Sequence, residues 1–201
     1  MKELELVAEK IRACTDCALC TSRTNAVPGE GPDNPKIMFV GEGPGFYEDQ
    51  QSRPFVGPSG RLLEQLLAGI SMNRTQVFIT NVVKCRPPEN RDPLPSEIQA
   101  CRKYLERQLE LLKPKIVVTL GRFSLAHFFP QETISKVHGR ARASQGVMVY
   151  PLYHPAAALR SPVMKKALEE DFKRLPNLLK EIEQASAAAS QQPAAQQLKL
   201  M

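Results

Sequence analysis

The chain has 201 residues, 42% of them hydrophobic and 24% charged, with five cysteines and a formal net charge of +6. That length suits one domain with a full core, and that balance excludes a fibrous or fully disordered chain. No run of about 18 apolar residues is present to span a membrane, and the opening Met1-Lys-Glu-Leu-Glu has no apolar signal region, which argues against secretion. Excess Lys and Arg fit a polyanion partner, because phosphate contacts release counterions; an ordinary basic surface fits the charge equally well. Cysteines in a chain that stays inside the cell favour metal or catalytic use over a disulfide framework.

Residues 3–13 read as a helix, with Leu4, Val7, Ala8 and Ile11 at helical spacing. Cys14, Cys17 and Cys20 follow, then a loop rich in Gly, Pro and Asn from Asn25 to Pro35. Lys36–Val40 is a continuous apolar run of the kind buried on both faces of a parallel sheet. Gly41-Glu-Gly-Pro-Gly45 must then turn sharply, and its bare backbone lets N–H groups approach a ligand. Residues 46–58 read as irregular and Ser59–Ile70 as a helix. Val77–Thr80 is a second strand, Arg86–Pro95 a proline-rich loop and Ser96–Leu112 a helix. Lys115–Leu120 is a third strand, Phe123–Phe129 a short helix and Gly146–Tyr150 a fourth strand. Residues 162–184 form an amphipathic helix interrupted at Pro176, and 184–201 an Ala/Gln-rich disordered tail. The expected fold is therefore α/β, a three-layer α/β/α sandwich with a central four-stranded parallel sheet, carried by residues 1–183.

In such sheets ligands bind beyond the carboxyl ends of the strands. The residues expected there are Gly41–Gly45, Asn81, Gly121 and Tyr153-His154-Pro155. The glycine loop alone is weak: it is neither a dinucleotide fingerprint nor a P-loop. Arg53-Pro-Phe55-Val-Gly57 adds an aromatic ring in a rigid loop, and His154-Pro-Ala-Ala-Ala-Leu159-Arg160 an imidazole at a strand end. Cys14 and Cys17 have the spacing of a metal hairpin, with Cys85 and Cys101 further on. Four thiolates suit zinc or an iron–sulfur cluster, and Cys20 is either a fourth ligand or a spare thiol.

From Cys14 to Asp171 these motifs, in this order, resemble the uracil-DNA glycosylase superfamily, and within it family 4, the iron–sulfur group of bacteria and archaea. The resemblance implies a 4Fe-4S cluster on Cys14, Cys17, Cys85 and Cys101, with Cys20 as an extra cysteine and a scaffold role for the cluster. It implies a monofunctional hydrolase that flips uracil out of single- or double-stranded DNA, cleaves its N-glycosidic bond and begins base-excision repair. Such an enzyme works as a monomer in a prokaryotic cytoplasm, associated with the nucleoid. The uracil site would comprise Gly41, Glu42, Gly43, Phe55, Asn81 and His154, with Glu42 and His154 catalytic. Asn81 can donate to O4 and accept from N3–H at once, a pattern cytosine reverses. Phe55 stacks on the base. His154 and the N–H groups of Glu42 and Gly43 meet the charge developing on O2. Other families place Asp or Asn where this chain has Gly43, so the part Glu42 plays in orienting water does not carry over directly. Glu48, or else Tyr47, excludes the thymine methyl. Leu159 wedges the duplex, and Arg53, Arg86 and Arg160, with Arg91, Arg140 and Arg142, suit phosphates. His127 and His138 read as ordinary packing residues. The related DNA-crosslinking enzymes carry a His-bearing insertion that is absent between Arg86 and Pro95. Rival readings are a glycosylase for other deaminated bases and a non-catalytic cluster protein that binds nucleic acid.

Overall fold

The computed structural model describes residues 2–190. Its centre is the apolar run expected to be buried on both faces. In β1 (Ile37–Gly41) every residue is buried, and the period of two sends Ile37 and Phe39 into one core and Met38 and Val40 into another. β2 (Phe78–Asn81) and β3 (Ile116–Leu120) flank it in parallel. A fourth strand is β4 (Arg142–Ser144), and β5 (Val147–Leu152) pairs in parallel with β3. The order is β2-β1-β3-β5-β4.

The sheet thus has five strands, not the expected four. The four long strands are parallel, and β4 adds an antiparallel edge to β5. β4 is three residues long and not buried, so it has no hydrophobic pattern to read. Its hairpin turns at Gln145 and Gly146, both at positive φ (51° and 78°), as a two-residue turn of matching twist requires.

Helices cover both faces. α1 (Lys2–Ala13) is followed by the short α2 (Leu19–Ser22), α3 (Phe46–Gln51) and α4 (Pro58–Gly69). Then come α5 (Pro95–Leu112), α6 (Arg122–Phe128), the single turns α7 (Ile134–Val137) and α8 (Pro155–Ala158), and the long α9 (Pro162–Ser190). Leu63 and Leu67 of α4 and Leu168 and Phe172 of α9 share one core with Phe39. Phe172 stacks on Phe39 with centroids 5.7 Å apart. Ile11 of α1 and Leu105 of α5 fill the other face. These are the layers of an α/β/α sandwich.

Two helical expectations need correction. Residues 46–51 are not irregular: Glu48 Oε2 accepts the Gly45 N–H at 3.1 Å and closes the first turn of α3. α9 runs through Pro176 without a break and continues past Gln184 to Ser190. The rest of the expected tail, 191–201, lies outside the described residues.

Candidate active site

The pairing of Gly41 with Asn81 in adjacent parallel strands sets the glycine loop beside the Asn81 side chain. Val82 and Val83 donate their N–H groups to the carbonyls of Gly41 and Glu42 at 3.0 and 3.1 Å, which fixes the loop. A Cβ placed on Gly41 would lie 2.4 Å from Asn81 Oδ1 and 2.7 Å from Phe55 Cζ, so these two side chains converge on that bare Cα. Asn81 is buried, and its Oδ1 has no hydrogen-bond partner among the described residues. A buried acceptor left unpaired costs about 1–3 kcal/mol, so it calls for a donor from outside the chain.

Phe55 is buried although it sits in a loop, and its φ is +51°. Its ring lies 5.7 Å from the His154 ring, tilted by 32°. His154 caps α8: its Nδ1 accepts the Ala156 N–H at 3.0 Å. The proton of the neutral ring is therefore on Nε2, where it can be donated to a ligand. Burial pushes the His154 pKa down to about 4, so the ring is neutral at pH 7. Gly121, with φ +90°, makes room for it; a Cβ there would meet His154 Cβ at 3.0 Å.

Glu42 is partly buried at the same edge. Burial raises its pKa, and nearby Asp92 adds to that while Arg122 opposes it. Gly43 faces Val83: a Cβ there would lie 2.7 Å from Val83 Cγ2, so no larger residue fits without a shift.

Cys14, Cys17, Cys85 and Cys101 line one cavity, and Cys20 joins them. They do not close on a single point: among the described residues no three Cys, His, Asp or Glu side chains are gathered as the ligands of one metal ion. A cavity ringed by thiols is a donor set of the kind used by zinc or by an iron–sulfur cluster. Two sulfurs already have N–H donors, Arg23 Nη1 to Cys85 Sγ at 2.9 Å and the Lys84 N–H to Cys101 Sγ at 3.2 Å. Burial pushes Cys101 up to about 11 and also raises Cys17 and Cys85, so without a metal they are thiols. They become thiolates only if iron or another metal supplies the positive charge.

Residues 28–179 match the model of the uracil DNA glycosylase superfamily. The chain belongs to that superfamily. It is 50% identical over 188 residues to a type-4 uracil-DNA glycosylase of Sulfurisphaera tokodaii, covering 89% of this chain and 86% of the relative. A type-4 uracil-DNA glycosylase of Saccharolobus solfataricus is 47% identical, with 89% and 88% covered. One of Thermotoga maritima is 41% identical, with 88% and 95% covered.

Of the residues picked from the sequence, Gly41, Phe55, Asn81 and His154 lie together at this edge of the sheet, with Glu42 and Gly43 in the adjoining loop. Glu48 is buried and braces this pocket. Its Oε1 accepts the N–H groups of Val56 and Gly57 at 2.9 and 2.8 Å, and its Oε2 holds Gly45. Leu159 and Arg160 are exposed just past α8. Several arginines are less free than the sequence implied. Arg53 forks onto Glu30 through Nε and Nη2 at 2.7 and 2.9 Å. Arg91 forks onto Glu97, and Arg142 pairs with Glu132. His138 is more than packing: its Nδ1 meets the buried Asp171 at 2.7 Å.

Two supporting residues were missed. Arg74 donates to the carbonyls of Pro54 and Phe55 at 2.6 and 2.7 Å and to Glu30 at 2.8 Å, holding the strained Phe55 turn. Lys84 is fully buried, and its Nζ donates to Thr80 Oγ1, the Asn81 carbonyl and Gln108 Oε1 at 2.6, 2.7 and 2.7 Å. Burial lowers its pKa to about 7. A lysine inside the apolar run Val82-Val-Lys84-Cys85 was the available signal.

Proposed function

We propose that the protein is a monofunctional uracil-DNA glycosylase that hydrolyses the C1′–N1 bond of a uracil flipped out of DNA. Residues 1–183 are its working unit, acting as a monomer in the cytoplasm. The observation that carries this reading is Asn81 Oδ1, buried without a partner beside Phe55. Uracil N3–H is the donor it lacks, and the same amide donates to O4. Cytosine presents an acceptor at N3 and a donor at C4, so both contacts fail.

Phe55 stacks on the extruded base. As C1′–N1 breaks, the bonding electrons pass to the uracil ring and negative charge gathers on O2. His154 Nε2–H and the N–H groups of Glu42 and Gly43 stabilise it without reorganising. A neutral His154 suits this role, since it donates without giving up its proton. Water adds at C1′ and loses a proton, leaving an abasic site; Glu42 orients that water and offsets the cationic sugar. Glu48, held by three N–H groups, is a fixed wall against a C5 methyl. Leu159 enters the gap in the duplex, while Arg86, Arg160 and Arg53, through the Nη1 that its fork onto Glu30 does not use, reach phosphates.

Cys14, Cys17, Cys85 and Cys101 would hold a 4Fe-4S cluster. Bound there, it ties the N-terminal segment to the loop after β2 and takes no part in bond cleavage.

The test is to incubate the pure protein with duplexes carrying U·G, U·A, T·G or hypoxanthine, and then cleave abasic sites with alkali. Scission of both uracil duplexes and none of T·G is expected. Absence of scission with uracil defeats the reading. Broad visible absorbance in the same preparation tests the cluster.

A further inference from the structure

Among the described residues, the large exposed apolar side chains are Leu6, Phe46, Tyr47, Leu94, Leu159 and Val163. Phe46, Tyr47, Leu94 and Leu159 all lie past the carboxyl ends of strands, on the edge that holds the pocket. Core packing does not require them there, and exposed apolar groups gathered around a polar site mark contact with a ligand.

Phe46 carries the most specific geometry. It follows Gly45 directly, so the glycine loop positions it. Its side is half open to solvent, at 50% exposure. The guanidinium of Arg86 lies over the ring, 5.2 Å from its centroid. Arg86 is itself fixed, because its Nε donates to Asn90 Oδ1 at 2.7 Å. Asn90 sits in a tight turn whose Glu89 and Asn90 both have positive φ, 56° and 55°. Tyr47 meets the Phe46 ring edge-on, with centroids 5.5 Å apart. On its other side Tyr47 packs against Gly57, in the loop that carries Phe55. An aromatic ring under a held guanidinium is thus joined rigidly to the uracil site.

We propose that Phe46 and Arg86 form a second stacking platform, which takes the base of a nucleotide flanking the extruded uracil on the same strand. The inference rests on the glycosylase reading. An aromatic face with an adjacent guanidinium suits a nucleotide, since every base offers a π-face and its phosphate offers a partner to arginine. A protein partner would not need the cation, and the platform is continuous with the site that receives the DNA. Stacking is indifferent to sequence, so the platform serves any neighbour. It also supports binding of a strand whose bases are already unstacked, which makes single-stranded DNA a good substrate.

The test crosses one protein change with one DNA change. Substrates are single-stranded oligonucleotides with one uracil, in which the 5′ or the 3′ neighbour is either a normal nucleotide or a tetrahydrofuran abasic analogue. The proteins are wild type, Phe46→Ala and Phe46→Trp, with thermal melting as the folding control, and kcat/KM is measured for each pair. For one of the two flanks, base removal lowers wild-type kcat/KM by roughly 5- to 100-fold. Phe46→Ala causes the same loss on the intact strand, and the two losses do not multiply. Phe46→Trp retains both the activity and the sensitivity to the flank. Losses that multiply on both flanks, or a Phe46→Ala enzyme equal to wild type, overturn the platform while leaving the glycosylase reading intact. A wild type that cleaves no uracil substrate overturns both.

Discussion

Gly41→Ala is the sharpest test of how the pocket is built. Gly41 ends β1 without a positive φ, so alanine meets no backbone strain there. The obstacle is space. The new Cβ would lie 2.4 Å from Asn81 Oδ1, where ordinary contact begins at 3.4 Å, so the amide must retreat by 3.4 − 2.4 = 1.0 Å. Phe55 Cζ, at 2.7 Å, must retreat by 3.4 − 2.7 = 0.7 Å. An amide displaced that far loses its alignment with both N3–H and O4. At about 1–3 kcal/mol per lost contact, the pair amounts to roughly 2–6 kcal/mol. That corresponds to a fall in kcat/KM of roughly 30-fold to 25,000-fold. The fold should lose only about 1–3 kcal/mol, the usual cost of overpacking by one methyl. Single-turnover cleavage of a U·G duplex, read beside thermal melting, measures both. A folded variant whose kcat/KM stays within about threefold of wild type refutes the convergence of Asn81 and Phe55 on the base.

Arg74→Met removes the donors that hold the Pro54 and Phe55 carbonyls; inhibition by free uracil should weaken roughly tenfold, as stacking is lost, with the salt dependence of DNA binding unchanged. Cys101→Ala should abolish the broad visible absorbance and lower the melting temperature, because cluster binding adds to folding free energy; retained absorbance would remove Cys101 from the ligand set. Glu42→Gln should slow single-turnover cleavage by about 100-fold or more if the carboxylate orients water, and undiminished cleavage takes it out of the chemistry. His154 has a folded-state pKa of about 4 against the ordinary 6.5 of a histidine, so the unfolded chain takes up its proton first as pH falls. Stability is therefore whole above pH 6.5 and declines by about 3 kcal/mol towards pH 4. Subtracting the denaturation profile of His154→Gln isolates that slope from the carboxylates, and identical profiles would contradict a buried neutral imidazole.

The central strands were legible because they are buried on both faces, so Lys36–Val40 and its counterparts read as unbroken apolar runs. Once they were placed, the carboxyl-edge rule put Asn81 and His154 at one site. What escaped notice was held by single polar contacts rather than by periodicity. β4 is too short and too exposed to carry a pattern. α3 depends on the Glu48 carboxylate folding back on Gly45. α9 passes Pro176, because a helix packed through Leu168, Phe172 and Leu175 tolerates the lost backbone bond. The arginines were over-read, since sequence shows their charge but not the carboxylates opposite them, such as Glu30 and Glu97.

Lys84 explains how a scaffold cluster can matter to a pocket it does not touch. Its main-chain N–H bonds Cys101 Sγ, the next residue is Cys85, and its ammonium grips the Asn81 carbonyl and Gln108. Gln108 in turn donates to the Pro28 carbonyl at 2.7 Å. The Asn81 backbone is therefore tied to the cysteine cavity through one residue, while the Phe55 carbonyl is tied to Arg74 and the next N–H, of Val56, to Glu48. Under the proposed role of Asn81, discrimination against cytosine requires an amide that cannot swing towards a better partner, because a mobile amide could flip and satisfy either base. The two sets of tethers restrict that freedom at Asn81 and at the Phe55 loop. A cluster bound by these cysteines would then add to specificity through rigidity, with no redox chemistry.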